Sequence, residues 1–254
     1  MTLPEALFKE DNMAVKIIYA IAVALEFVFV PLFLKYSWPK KCWKSFRLKM
    51  VCSTLFLVTG VCCMVWAHNY SEYAKLMLVG LIFGALGDLF LHLITDKQVI
   101  FGIGLFSFLI GHVFFIVAFG KALKDKLPQA KVFDYRAIIA IVLILVFLVI
   151  YAVKTKMKFG IATVPVAMYA VTISTMLVTA FQLCGRFFLE GFDNDVAIIC
   201  TVGIGALMFV MSDFTLALNL FGGQEKNRPL KIFNIATYFI GQVLLGTSIL
   251  FIAA

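Results

Sequence analysis

Asp88 and Asp213 each lie inside a long apolar segment, in GALGDLFLHL and in FVMSDFTLAL. A carboxylate in hydrocarbon costs several kcal/mol, at least roughly 2.5–3.5 on insertion scales. A chain that bears this cost twice, in the same local frame D-[LF]-x-L-x-L, uses the two groups together. Two carboxyl groups with separated protonation states serve general acid/base hydrolysis. Proton-coupled transporters place carboxylates at depth as well, so a transporter of a lipid or small metabolite is the alternative from another class.

Other polar side chains fall at compatible places. Lys49 opens the second apolar span, and His92 is four residues beyond Asp88 on the same helical face. Ser212, Thr215 and Asn219 share a face at i, i+3 and i+7, and Tyr238 and Gln242 are i and i+4. His112 lies in the fourth span with Ser107 and Gly111 near it, and Glu26 stands mid-span in the first without an assigned partner. Each has a plain structural reading beside the functional one. Lysine snorkels at an interface, histidine near an interface is solvated, and tyrosine, glutamine and histidine within spans join helices by hydrogen bonds. The chain has no G-x-S-x-G elbow, no H-E-x-x-H and no P-loop, which argues against a serine-nucleophile lipase and against phosphoryl transfer. Its six cysteines show no metal spacing and no loop-to-loop disulfide pattern.

The elements that must position these groups are membrane helices. Of the 254 residues 63% are hydrophobic and 14% charged, against about 25% charged in a soluble domain. Apolar runs near the ~20 residues needed to cross a bilayer fall at about 13–36, 46–67, 74–95, 98–120, 134–153, 161–184, 196–221 and 230–252. The expected fold is all-α, a polytopic bundle of eight transmembrane helices forming one domain over residues 1–254. Trp38, Trp43 and Trp66 fall at span ends, as do Tyr36, Tyr70, Tyr73, Tyr135 and Tyr151, the aromatic belt of the two interfaces. Tyr19, Tyr169 and Tyr238 lie within spans and need another reason.

The net charge of +8 comes from loops, above all from Lys40, Lys41, Lys44, Arg47 and Lys49. This loop reads as cytosolic and facing anionic lipid, not as a nucleic-acid site. Both termini are then outside or lumenal, with the first span a signal anchor. Asn69-Tyr70-Ser71 is a glycosylation sequon that hugs the membrane and is expected to stay unused. Asp88 and Asp213 are 125 residues apart in the third and seventh spans, which run parallel and hint at an internal repeat. Both fall about 10–12 Å below the same interface.

The blocks GLIFGALGDLFLHL, GLFSFLIGHVFFIVAF, GALMFVMSDFTLALNLF and ATYFIGQVLLGTS, taken in this order and spacing from about Lys49 to Ser248, resemble the YhhN/lysoplasmalogenase family, the animal transmembrane members in particular. The resemblance implies an eight-helix hydrolase that cuts the sn-1 vinyl ether of lysoplasmalogens. The products would be a fatty aldehyde and glycerophosphoethanolamine or glycerophosphocholine, and the expected setting is the endoplasmic reticulum. It implies Asp88 and Asp213 as the acidic pair, with Lys49, His112, Tyr169, Ser212, Asn219, Tyr238 and Gln242 matching other recurrent polar positions. Family members often carry a tyrosine three residues after the histidine. Here that residue is Phe115, so a hydroxyl at that place is not required.

The chemistry fits the residues. A vinyl ether hydrolyses by protonation of the alkene carbon, addition of water to the oxocarbenium-like cation, and collapse of the hemiacetal. That takes one acid and one anion, the two-carboxylate logic of glycoside cleavage, and no metal or redox cofactor. The expected partners are a lysophospholipid and membrane lipids. Asp88 and Asp213 are expected to face a shared polar cavity, with Asp213 as the acid, Asp88 as the anion and Lys49 on the phosphate.

Overall fold

The computed structural model describes residues 13–93, 98–224 and 227–252. Eight helices among them are long and apolar enough to cross a membrane. They are α1 (Met13–Tyr36), α2 (Trp43–Trp66), α3 (Glu72–His92), α4 (Gln98–Lys126), α5 (Tyr135–Lys154), α6 (Thr163–Glu190), α7 (Asp195–Phe221) and α8 (Arg228–Thr247). A five-residue π-helical stretch, Ile199–Gly203, interrupts α7, and a 3₁₀ turn, Ser248–Leu250, follows α8. The protein is an all-helical, multi-pass membrane bundle. The expected spans locate every helix; α4 and α6 run a turn or more further than their apolar runs.

Local chemistry sets the helix ends. Cys42 and Ser45 form a reciprocal capping box on α2, satisfying two donors that a helix start leaves open. Ser71, Asp134 and Asn227 cap α3, α5 and α8, and α6 stops at Gly191 in the left-handed region. The buried side chains at the centre include Phe56, Met77, Leu81, Phe115, Met176 and Phe209. The outward faces are apolar too, as a lipid-facing surface must be. The extreme case is α5, where only Ala137 is buried.

Helices approach most closely where glycine allows it. A Cβ on Gly111 of α4 would stand 3.0 Å from the Gly80 carbonyl of α3, and one on Gly241 of α8 would stand 3.0 Å from the Gly205 carbonyl of α7. Gly80 precedes Asp88 by the same eight residues by which Gly205 precedes Asp213. Along the partner helices, Phe108-x-x-Gly111-His112 matches Tyr238-x-x-Gly241-Gln242. The repeat hinted at by one short motif therefore extends over two helix pairs, α3–α4 and α7–α8.

The end of the bundle far from Lys49 is closed by polar side chains. The Asn69 amide is buried and donates to the carbonyls of Ile249 (2.8 Å) and Ile252 (2.7 Å). Tyr73, expected in the interfacial belt, is instead buried with its hydroxyl 2.6 Å from Ser248 Oγ. The in-span Tyr19 bonds Thr247 at 3.0 Å. Asn69 therefore caps a helix end, and Asn69→Ala should destabilise the protein by about 1–3 kcal/mol, the worth of buried acceptors left unpaired. Melting in detergent tests this. Endoglycosidase treatment of protein from a glycosylating host should leave its mobility unchanged, because the amide nitrogen is already committed.

Candidate functional site

The two aspartates occupy separate polar clusters, and each cluster is built by both halves of the bundle. Asp88 on α3 is buried. Its Oδ2 accepts from Ser53 Oγ of α2 at 2.6 Å and from the Tyr238 hydroxyl of α8 at 2.8 Å. Lys49 Nζ lies 2.8 Å from Oδ1. That contact is an ion pair off the hydrogen-bonding direction, so Oδ1 lacks a well-aligned donor. Gln242 Nε2 donates to the Tyr238 hydroxyl at 3.1 Å and reaches it over Gly84, where a Cβ would stand 2.5 Å from that nitrogen.

Asp213 on α7 is bound in the complementary way. Its Oδ2 accepts from the Tyr169 hydroxyl of α6 at 2.6 Å, and His112 Nε2 of α4 lies 3.2 Å away. His112 Nε2 is also 2.9 Å from the Tyr169 hydroxyl, and its Nδ1 is 3.2 Å from the Met176 thioether. Asp88 thus takes α2 from its own half and α8 from the other; Asp213 takes α6 from its own half and α4 from the other. Tyr169 and Tyr238 are within spans because each carries a hydroxyl to a carboxylate.

The environments differ. Asp213 and Tyr169 are the polar side chains at the wall of an otherwise apolar cavity of about 300 Å³ between α4, α6 and α7, lined also by Leu105, Leu109, Val166 and Leu216. The lining does not include Asp88, so this cavity is not the expected one shared by both carboxylates. The reason is aromatic packing. The Phe209 ring is 4.7 Å from His112 and 5.4 Å from Tyr238, and Phe108 stacks edge-on to both Phe209 and Tyr238. Phe115 is buried in the same wall against Phe209.

The remaining expected residues divide between these clusters and their supports. Ser212 is buried, and its carbonyl and hydroxyl both accept from Asn234 Nδ2, at 2.6 and 3.0 Å. Asn219 has a buried Oδ1 with no partner in hydrogen-bonding geometry. His92, expected to be solvated, is buried; its Nε2 is 3.0 Å from Ser45 Oγ and its ring packs edge-on to Phe33. Glu26 is buried with neither oxygen in a well-formed hydrogen bond, and the Cys52 thiol and Asp88 are its polar neighbours. Sequence reasoning missed Ser53, Asn234 and Met176. Ser53 was findable, at i+4 from Lys49; Asn234 and Met176 carry no such signal. No group of three or more His, Cys, Asp or Glu among the described residues could hold a metal ion.

Comparison with known proteins bears on this arrangement. The YhhN family matches residues 45–249. The chain is 30% identical over 230 residues to human "Lysoplasmalogenase TMEM86A", a match that covers 87% of this chain and 83% of the human protein. No solved structure matches. Neither comparison lends support to a transporter.

The Lys49–Asp88 ion pair changes what substitution there should do. Removing one partner of a buried pair costs about 3–5 kcal/mol, because the other charge stays behind. Asp88→Asn and Lys49→Met should each lower stability by about 3 kcal/mol, and the double variant by less than the sum of the two. A double-mutant cycle on melting in detergent measures this; additive losses would mean the two groups do not interact.

Proposed function

This chain belongs to the YhhN family, and we propose that it hydrolyses the sn-1 vinyl ether of lysoplasmalogens, with proton transfer centred on Asp213. The observation that carries this reading is a carboxyl group at the wall of an apolar cavity with one oxygen engaged and the other unbonded. Asp213 Oδ2 takes the Tyr169 and His112 contacts, which leaves Oδ1 for the reacting carbon. An alkenyl chain entering between α4, α6 and α7 would meet apolar side chains along its length and a carboxyl at the vinyl ether.

In this mechanism Asp213 gives its proton to the carbon β to the ether oxygen, and the adjacent carbon becomes an oxocarbenium ion. Water adds there, and the resulting carboxylate of Asp213 takes back the proton that water loses. The hemiacetal then collapses: Asp213 protonates the glycerol oxygen as its bond to the former vinyl carbon breaks, the hydroxyl proton returns to Asp213 as the carbonyl forms, and the fatty aldehyde leaves with glycerophosphoethanolamine or glycerophosphocholine. Tyr169 and His112 hold Oδ2 from two helices, and so fix the carboxyl group with Oδ1 turned to the cavity. Asp88 is the anionic member of the pair. Beyond the aromatic wall, its charge fixes Lys49 and Tyr238 and offsets developing positive charge across a water-poor interior. The reading carries an endoplasmic-reticulum location with the Lys40–Lys49 loop cytosolic.

Purified protein given a lysoplasmalogen should release aldehyde, and the saturated alkyl ether of the same chain length should stay intact. Run in D₂O with immediate reduction of the product, the reaction should leave one deuterium on the carbon next to the former aldehyde carbon; its absence would exclude carbon protonation. Asp213→Asn should fold and lose turnover by about a hundredfold or more, the usual worth of general acid catalysis. Normal turnover in a folded Asp213→Asn protein would remove this residue from the mechanism.

A further inference from the structure

The end of the bundle above Asp88 holds more positive charge than its surroundings balance. Lys41 Nζ donates to the Leu91 carbonyl at 2.6 Å, at the end of α3, and Lys231 Nζ donates to the Ser37 carbonyl at 2.7 Å. Neither has an acidic partner among the described residues. Both lie within electrostatic range of Lys49 and of each other. Asp88 matches only the charge of Lys49, so among the described residues the Lys41 and Lys231 ammonium groups have no carboxylate against them. The loop lysine shows the effect: burial first, and the Lys49 charge second, hold the Lys41 ammonium below the ordinary lysine range. The walls are aromatic, with Trp38 5.6 Å from Lys231 Nζ and Phe33 6.0 Å from Lys49 Nζ.

We propose that Lys41 and Lys231, braced by the Lys49–Asp88 pair, bind the phosphodiester of the lysophospholipid whose vinyl ether reaches Asp213. This rests on the proposed hydrolysis and adds a head-group subsite to it. The role expected for Lys49 moves to two lysines that have no acidic partner among the described residues. Depth supports the assignment. Lys231, Asn234 and Tyr238 lie along α8 at i, i+3 and i+7, and Asn234 bonds to Ser212, the neighbour of Asp213. Lys231 therefore stands about 5 Å nearer the membrane surface than the Asp213 level, three residues at ~1.5 Å each. In the substrate, five bonds separate the sn-1 oxygen from phosphorus, a reach of about one helical turn, ~5–6 Å. A molecule with its ether at Asp213 therefore carries its phosphate at the depth of this cluster.

The test is a binding measurement that does not need turnover. A saturated 1-O-alkyl lysophosphocholine and the 1-O-alkylglycerol of the same chain length are titrated into protein in nonionic detergent, with affinity read from the melting temperature. The wild-type protein should prefer the phosphate-bearing ligand by about tenfold or more, the usual worth of one charge-assisted contact. Lys41→Met/Lys231→Met should lose that preference while keeping its affinity for the alkylglycerol, and Lys41→Arg/Lys231→Arg should retain the preference. An unchanged preference in the Met variant would overturn the proposal. Displacement of the lysophosphocholine by an equal amount of phosphatidylserine would also overturn it and assign the cluster to bilayer lipid. Loss of aldehyde release together with an intact phosphate preference would instead count against the hydrolysis alone.

Discussion

A charged side chain inside a bilayer must find its partners within the protein, and the architecture of this bundle follows from meeting that requirement twice. Asp88 and Asp213 cannot be matched by their own helices, because residues of one helix cannot surround a carboxylate. Each draws polar partners from two other helices, one in each half of the chain: Ser53 and Tyr238 for the first, Tyr169 and His112 for the second. Satisfying the carboxylates and assembling the helices are therefore one event. The glycine contacts between α3 and α4 and between α7 and α8 bring the backbones close enough for it to occur.

The two clusters share a plan and differ in what surrounds them. Asp88 is matched by a full positive charge and closed over by Tyr238 and Gln242. Asp213 has a neutral phenol and an imidazole for partners and meets an apolar cavity. The first arrangement suits a permanent anion that organises its neighbours. The second suits a group that exchanges protons with a hydrophobic molecule. Phe108, Phe209 and Phe115 separate them and keep the interior poor in water, a condition under which each fixed charge acts more strongly.

The wall also gives the molecule a direction. Apolar cavity, carboxyl group and basic cluster follow one another from α4–α6–α7 across to α2–α3–α8. That is the order of chain, vinyl ether and phosphate in a lysophospholipid. The polar face of α8, from Lys231 through Asn234 to Tyr238 and Gln242, bonds to helices of both halves.

The sequence by itself determined the helices and singled out Asp88 and Asp213 as the candidate acidic pair. Apolar run length decides where a chain can cross hydrocarbon, and an aspartate in such a run stands out because its cost is independent of fold. Parallel orientation and similar depth of Asp88 and Asp213 were expected by counting, and Tyr19, Tyr169 and Tyr238 stood out as in-span tyrosines that need a reason. Only the tertiary structure decided which helix supplies which donor. It bound Lys49 to Asp88, buried His92 and Tyr73, and set an aromatic wall where one shared cavity was expected. It also brought Lys41 and Lys231, 190 residues apart in the chain, to one end of the bundle. Such facts depend on the rotation and pairing of helices, which are fixed by the meeting of small and large side chains from distant segments. Hydrophobic periodicity carries little of that information in a membrane, where the lipid-facing and buried sides of a helix are both apolar.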